Sequence, residues 1–430
     1  MTGPGNPVDN PPANSPVKAP ADRKVNRVIV LGSTGSIGES TLAVIEHLRR
    51  TQTRKIEVVG LAADRSSKVL ADQAERFCCN DVALADPDAA ADLRRRLPGA
   101  RLRSGPDAAS ELVREVEADT VIAAIVGVSG LRSTFEAIQL GRTVALANKE
   151  ALVAAGSIVM PAARRADATL LPVDSEHAAV AQCLRGEPAH RVRRVILTAS
   201  GGPFRTASAE VIQNATPEQA LVHPTWSMGP KITVDSATMV NKTLEVVEAH
   251  HLFGLSAGQL AVLVHPQSVV HAMVEFLDGA TVAQLAAPDM KGPIHAALCH
   301  PDRPPSCAQP LDWAATPALT FEGPDHHRFP GLNLARRAIE GGGSAGAVLN
   351  AANEAAVHAF LQRRIRLGKI VRLIESAMDA LPPRPIETLD DVLEADRLAR
   401  RYVETELTRL VAPVSGAPNE TPAASPARLG

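Results

Sequence analysis

Aromatic side chains are scarce in this sequence: eight Phe, two Trp and one Tyr among 430 residues. The core therefore has to be built mainly from Ala, Val, Leu and Ile, and an aromatic in a polar loop, Trp226 above all, stands out. Cysteine is sparse too. Cys78, Cys79, Cys183, Cys299 and Cys307 form no CxxC pair, and an odd count suits a reducing compartment better than a disulfide framework. No apolar run approaches the roughly 20 residues that span a bilayer. A formal net charge of −2 gives neither the basic face of a nucleic-acid binder nor attraction to an anionic membrane. Residues 1–25 are rich in Pro, Asn and Ala, and they lack the apolar segment of a secretory signal. Asp9, Asp22 and the prolines argue against a transit peptide. These absences point to a cytoplasmic protein that binds neither nucleic acid nor membrane.

What is present is ordinary globular material, 45% hydrophobic and 21% charged, in a chain long enough for two or three domains. The apolar run Arg27–Leu31 ends abruptly in Gly-Ser-Thr-Gly-Ser-Ile-Gly, and Leu42, Ile45 and Leu48 follow at helical spacing. That is strand, tight turn, helix. Further strands are expected at Ile56–Ala62, Val82–Ala85, Thr120–Val126 and Thr143–Ala147 with helices between, which implies a parallel, doubly wound sheet. From about Pro172, polar glycine-rich segments (Asp174–His177, Thr198–Arg205, His223–Lys231) interleave with apolar ones, as in a domain whose loops carry chemistry. The Pro-rich stretch His300–Pro324 reads as a linker, and Leu332–Glu340, Ala345–Arg364 and Asp390–Leu410 have helical composition. The expected organisation is α/β: a disordered tail at 1–25, a Rossmann-like domain at 26–173, and a central α/β domain at 174–299. A linker at 300–325, a helical domain at 326–411 and a second disordered tail at 412–430 complete it.

Gly32, Gly35 and Gly38, between a strand and a helix, let the backbone turn tightly and approach a pyrophosphate at the helix N-terminus. After the second strand Asp64 favours the bare ribose of NAD, whereas its neighbour Arg65 suits the 2′-phosphate of NADP, so the two point opposite ways. In an extended segment Asp174 and Glu176 point to one side. Asn241 and Glu245 are i,i+4 neighbours in an expected helix that also carries Lys242. If the three carboxylates meet, they form a hard oxygen site suited to Mg²⁺ or Mn²⁺; otherwise they are surface acids and a solvated helix face. Ser200, Gly201, Gly202 and Ser236, with Asn241 and Lys242, are donors of the kind that hold a phosphate. His223–Gly229 sets Trp226 among turn residues, as in an active-site lid, with a buried core Trp as the alternative. His177, His265 and His271, each taken singly, read as structural.

Together these segments resemble one family, the 1-deoxy-D-xylulose 5-phosphate reductoisomerases of non-mevalonate isoprenoid precursor synthesis. The matching strings run from Leu31-Gly-Ser-Thr-Gly-Ser-Ile-Gly38 through Leu146-Ala-Asn-Lys-Glu150, Pro172-Val-Asp-Ser-Glu-His177 and Ser200-Gly-Gly-Pro-Phe204. His223–Gly229, Val234–Met239 with Asn241-Lys242, His265-Pro-Gln-Ser268 and Leu349-Asn-Ala-Ala-Asn-Glu354 follow in the family's order. The resemblance covers about Val28 to Leu410.

It implies a homodimer that acts on a small sugar phosphate and uses NADPH with a divalent cation, the central domain carrying both catalysis and dimerisation. Asp174, Glu176 and Glu245 match metal ligands, and Ser200, Ser236, Asn241 and Lys242 match phosphate-binding groups. Lys149, Ser175 and Asn241 match positions at substrate hydroxyls. Trp226 matches the lid tryptophan, and His223 and His271 match histidines beside the active site; Lys149, Glu176 and these three are taken as catalytic. Thr34, Gly35, Ser36 and Ile37 match the pyrophosphate turn. Asn148 and Glu150 match residues by the ribose and nicotinamide, with Arg65, Ser66 and Gly229 completing the cofactor set. The chain departs from the family at Asp64-Arg65-Ser66, where many members carry Gly-x-Asn, and in both tails. Asp64 would repel a 2′-phosphate if it pointed inward.

The implied reaction converts 1-deoxy-D-xylulose 5-phosphate and NADPH to 2-C-methyl-D-erythritol 4-phosphate and NADP+. A metal-assisted skeletal rearrangement, favoured here as retro-aldol/aldol with an α-ketol shift as the alternative, precedes hydride transfer. Two other readings compete. A metal-independent NAD(P)-linked sugar-phosphate dehydrogenase leaves the two acidic motifs unexplained. A non-catalytic NADPH-binding regulator is expected to have lost a metal ligand or the lid, and this chain keeps them all.

Overall fold

A computed structural model describes residues 25–411 apart from Ser227 and Pro317. But for Val25, the two expected tails lie outside the described residues. The first part of the chain alternates strictly. Its strands are β1 (Asn26–Leu31), β2 (Ile56–Ala63), β3 (Asp81–Leu84), β4 (Arg101–Ser104), β5 (Thr120–Ala123), β6 (Thr143–Leu146) and β7 (Leu170–Pro172). Between them lie α1 (Ser36–Arg50), α2 (Ser67–Phe77), α3 (Pro87–Arg96), α4 (Ala108–Glu115), α5 (Leu131–Gln139) and α6 (Lys149–Arg165). The strands pair in parallel in the order β4-β3-β2-β1-β5-β6-β7. The order therefore reverses beside β1, where open α/β sheets bind their ligands.

Local chemistry explains the elements. Val28–Leu31 and all of β3 and β5 are buried, as parallel strands covered on both faces have to be. Helix α1 buries Leu42, Val44, Ile45 and Leu48 and ends in His47, Arg49 and Arg50, cations placed at the negative end of its dipole. Asp86 caps α3 by accepting from the amides of Asp88 and Ala89, with Pro87 in the first turn.

The second part begins with α7 (Ser175–Cys183) and β8 (Val192–Ala199). It continues through α8 (Ala209–Asn214), α9 (Pro217–Ala220), α10 (Pro230–Ala237) and α11 (Val240–Phe253) to β9 (Leu260–Val264), β10 (Val270–Phe276), β11 (Thr281–Leu285) and α12 (Lys291–Cys299). Its sheet runs β11-β10-β8-β9, antiparallel except for β8–β9. Then come α13 (Asn333–Gly341), α14 (Ala345–Leu361), α15 (Gly368–Ala380) and α16 (Leu389–Val411).

Three differences from the sequence expectation matter. Asp174 and Glu176 are not in an extended segment: the strand stops at Pro172, and Asp174 is the N-cap of α7, whose first turn carries Glu176. Strand β5 ends at Ala123 rather than Val126, which frees Ala124–Val126 to line a cleft. Strands β4 and β7 and helix α15 had no counterpart in the expectation. The cores, moreover, are shared. One face of the parallel sheet packs α1–α3 together with α12 from the second part. The other packs α4–α6 with Ala347, Val392 and Ala395 of α14 and α16. The largest core joins the mixed sheet to α10, α11 and α13–α16 in one apolar mass.

Candidate active site

The cleft between these parts has a volume of about 430 Å³. At the nucleotide turn Gly32 takes φ +78°, and a Cβ on Gly38 would lie 2.3 Å from the Gly32 carbonyl oxygen. Only glycine lets α1 start this close to β1, with its free amides aimed at whatever lies over Gly35, Ser36 and Ile37, which line the cleft. That cradle fits the pyrophosphate of a dinucleotide.

The carboxylates do meet. Asp174 from the cap of α7, Glu176 from its first turn and Glu245 from the middle of α11 bring one oxygen each within 4.8 Å of the others. Two lysines penetrate the cluster. Lys149, at the start of α6, contacts Asp174 and sits 3.1 Å from Glu245 Oε1 while donating to Asn241 Oδ1 at 2.9 Å. Lys242 donates to Glu176 Oε1 at 2.6 Å and also contacts Glu245. Burial would push Glu176 up, but Lys242 and the Ser175 hydroxyl, 2.5 Å away, outweigh it and hold Glu176 well below the usual range. Glu245, only 1% exposed, is pushed up to about 7 by burial and the charge of Glu176.

Three carboxylates against two ammoniums leave an excess negative charge when all are ionised, and each lysine is shared between two of the acids. An all-oxygen set with a residual negative charge fits Mg²⁺ or Mn²⁺. A second cluster shares Asp174 with His177 and Glu248, but it lies behind the cleft wall. There His177 Nε2 is already engaged with the Glu245 carbonyl at 2.9 Å.

A short distance along the cleft, Ser200 follows β8, and Gly201 and Gly202 take φ +86° and +64°. His223 Nε2 lies 3.0 Å from Ser200 Oγ and 3.1 Å from Ser236 Oγ. Its Nδ1 accepts from the amides of Thr225 and Trp226, at 3.1 and 2.9 Å, which places the ring proton on Nε2. Burial lowers the His223 pKa and favours this neutral tautomer. The lid backbone and the serine pair thus share one imidazole. Trp226 is half-buried over the cleft, its ring 6.3 Å from that of His271, whose pKa burial also lowers.

The structure thus gathers Lys149, Asp174, Ser175, Glu176, Ser200, His223, Trp226, Ser236, Asn241, Lys242, Glu245 and His271 around one cleft, with Glu150 and Gly229. Lys242 stands among the carboxylates rather than beside Ser200 and Ser236. Thr34, Arg65, Ser66 and Asn148 do not line the cleft. Arg65 is exposed after β2 and ion-paired to Asp64 at 3.0 Å. Asn148 is buried, caps α6 through the Ala151 amide and donates to the Gly127 carbonyl.

Sequence reasoning missed Lys231, which reaches into the cleft between Glu150 (2.6 Å) and Asp235 (2.9 Å), and Glu248, buried 3.2 Å from His177. A signal for Glu248 was available: it stands three residues after Glu245, on the same helix face, amid Val246, Val247 and Ala249.

Comparison with known proteins gives a consistent result. A family model described as 1-deoxy-D-xylulose 5-phosphate reductoisomerase matches residues 28–156. Models of the C-terminal domains of the same enzyme match 170–253 and 285–402. The reductoisomerase of Thermodesulfovibrio yellowstonii is 44% identical over 383 residues, 89% of this chain and 100% of that protein. That of Nocardia farcinica is 50% identical over 378 residues, 87% and 93%. Among solved structures, the Zymomonas mobilis enzyme in complex with NADPH aligns with TM-score 0.82 and 44% identity over 89% of this chain and 99% of its own. A DOX-P reductoisomerase with NADPH, fosmidomycin and magnesium gives 0.85 and 38% over 90% and 99%.

Proposed function

This chain belongs to the 1-deoxy-D-xylulose 5-phosphate reductoisomerase family, and on that premise we propose that its cleft converts 1-deoxy-D-xylulose 5-phosphate and NADPH to 2-C-methyl-D-erythritol 4-phosphate and NADP+, with Mg²⁺ or Mn²⁺, in isoprenoid precursor synthesis. The observation that carries the proposal is the convergence in one cleft of the glycine turn, the three carboxylates and the Ser200–His223–Ser236 cradle.

Asp174, Glu176 and Glu245 would hold the cation, which when bound supplies Lewis-acid stabilisation of charge developing on substrate oxygen. Ser200, Ser236 and the Nε2–H of His223 hold the phosphate, and Asn241 and Lys242, both bonded to the carboxylate cluster in this structure, are its further donors. Lys149 stays charged because Asp174 and Glu245 outweigh its burial, so it offers a cation to the substrate hydroxyls beside Ser175. The bond changes we favour are retro-aldol cleavage between C3 and C4 and re-addition to 2-C-methylerythrose 4-phosphate, whose aldehyde then accepts the hydride. The phosphate cradle keeps the two-carbon fragment from escaping between those steps, and proximity of that kind is worth several kcal/mol. Closure of Trp226 excludes water while the intermediate lasts.

The activity is tested by following NADPH absorbance with purified protein and 1-deoxy-D-xylulose 5-phosphate, with and without Mg²⁺ or Mn²⁺. Oxidation that needs both substrate and metal is expected. Oxidation that survives a strong chelator would turn the assignment towards a metal-independent dehydrogenase.

The protein is further proposed to be a cytoplasmic homodimer, divided into a nucleotide domain at 26–173, a catalytic and dimerisation domain at 174–299, a linker at 300–325 and a helical domain at 326–411. Supporting a second copy, Leu277 and Val282 of the β10–β11 hairpin are exposed on the mixed sheet, Phe321 of the linker is exposed beside β9, and Trp313 of the linker is exposed too. Five free thiols and the lack, among the described residues, of a helix long and apolar enough to cross a membrane fit that compartment. Sedimentation of the purified protein reads the oligomeric state.

A further inference from the structure

The motif Leu349-Asn-Ala-Ala-Asn-Glu354 has no place in the chemistry above, yet it lies at the middle of the most buried helix, α14. Asn353 is fully buried and donates from Nδ2 to Asp235 Oδ1 at 2.9 Å. Asp235 is itself buried, on α10, one residue before Ser236 of the phosphate cradle. Its second oxygen lies 2.9 Å from Lys231, whose ammonium crosses to Glu150 on α6. Buried charges persist only when paired and hydrogen-bonded, so Asn353 completes a set that fixes α10, the helix leading out of the lid.

The next residue faces the opposite wall. Glu354 accepts from Asn350 at 3.0 Å and pairs with Arg400, which Asp396 holds at 2.7 Å. A Cβ on Gly127 would come within 2.9 Å of Glu354 Oε1. Gly127, at φ +76°, ends the Ala124–Val126 segment that lines the nucleotide side of the cleft, and its carbonyl accepts from Asn148. Adjacent residues of one helical turn thus bear on both walls, 353 on the lid and phosphate side through Asp235, 354 by direct contact on the nucleotide side, with its charge felt also at Lys231.

We propose that Asn353 and Glu354 are positioning residues: the helical domain sets the spacing of the two cleft walls, acting on Ser236 through Asp235 and on Ala124–Val126 through Gly127. Neither touches a reacting atom. The inference rests on the reductoisomerase reading for its substrate, and the test separates the two.

The test uses the full chain carrying Trp313→Phe, so that Trp226 is its one remaining tryptophan. In this background Asn353→Leu is expected to raise KM for 1-deoxy-D-xylulose 5-phosphate by about tenfold or more, the size of effect that misplacing a positioned group produces. The quenching of Trp226 fluorescence by the sugar phosphate should shift to correspondingly higher concentration. The swap Asp235→Asn with Asn353→Asp, which restores a donor–acceptor pair across the same gap, should recover most of that loss. Glu354→Gln should instead weaken NADPH binding, read by titration, and leave the sugar-phosphate response within about twofold.

Unchanged KM and quenching in Asn353→Leu would overturn the proposal. So would a loss of activity that merely tracks the unfolded fraction by circular dichroism, because a purely structural contact does not change the KM of the folded molecules. If Asn353→Leu does not fold, the swap and Glu354→Gln decide: no shift in either response overturns it. A parent protein that binds NADPH but does not turn over the sugar phosphate sinks the reaction assignment alone, since the fluorescence and NADPH titrations still read the spacing.

Discussion

The glycine turn at β1–α1 and the carboxylate cluster at α7–α11 line the same cleft and are made of different materials. The first is backbone: amides at the start of α1, brought close because Gly32 and Gly38 have no side chain to interpose. The second is charge, three acids and two lysines from α6, α7 and α11 held at hydrogen-bond distances. A backbone site is specified by a few adjacent residues and fails by steric intrusion. A charge site is assembled from segments up to 96 positions apart and fails by imbalance. The two should therefore break in different ways.

The largest effect is expected at the charge site. Asp174→Asn or Glu245→Gln should lower turnover by roughly a thousandfold at saturating metal, with NADPH affinity changed less than about threefold. Equal activity in either variant would remove these residues from the metal set. At the backbone site the converse holds. Gly38→Val should weaken NADPH binding on the order of a hundredfold, since its side chain would displace the Ser33 backbone, while Mg²⁺ affinity stays near that of the parent. Isothermal titration of each ligand against each variant checks both.

The helix pair α6–α11, which supplies part of the charge site, carries its own prediction. His251 on α11 packs its ring against Gly156 on α6, where a Cβ would lie 2.3 Å from it, and burial pushes its pKa down to about 4. A histidine depressed in the folded state binds its proton more readily when unfolded. Its contribution is thus complete above about pH 6.5 and is lost as the pH falls from there towards 4. With part of the ring still reached by solvent, about 2 kcal/mol is expected to disappear over that window. Urea midpoints measured from pH 7 to 4 should fall less steeply in His251→Leu; parallel curves would place the acid sensitivity elsewhere.

The smallest effects belong to the exposed pair after β2. Arg65→Ala should weaken NADPH about tenfold or less without altering NADH, and Asp64→Asn should strengthen NADPH by no more than about threefold. A larger gain in Asp64→Asn would mean that the Asp64 carboxylate turns towards the 2′-phosphate rather than resting on Arg65 as it does here.

That difference in material also decides what could be read from the sequence. Gly32, Gly35 and Gly38 stand within seven residues after an apolar strand, so the turn was legible where it stood. Asp174 and Glu176 were singled out with a wrong local picture. Two acids two apart suggested an extended run, whereas Asp174 stands at the N-cap position of a helix without a side-chain capping bond, and that position is what lets it converge with Glu176. The meeting of α7 with α11 depends on packing across β8–β10, which no local pattern encodes. Asp235 and Asn353 stood inside matched strings and Lys231 closed a polar segment, yet none carried a role, for the same reason: each reads as an ordinary polar residue until the helix bearing its partner is in place. The fold was legible in its alternating half and less so where the largest core draws on elements from Val153 to Leu407.

That shared core bears on the order in which a ribosome would deliver the molecule. The parallel sheet is complete when Pro172 emerges and the carboxylates when Glu245 does, but α14 and α16 begin a hundred residues or more after Glu245. Until then Asp235 lacks its amide and Gly127 its backing carboxylate, and one face of the sheet lies uncovered where Ala347, Val392 and Ala395 will sit. The nascent chain would thus own every ligand of its active site before it owns the active site. A protein interrupted before α14 would be left incomplete and apolar on its surface, a substrate for chaperone or protease rather than a half-finished enzyme.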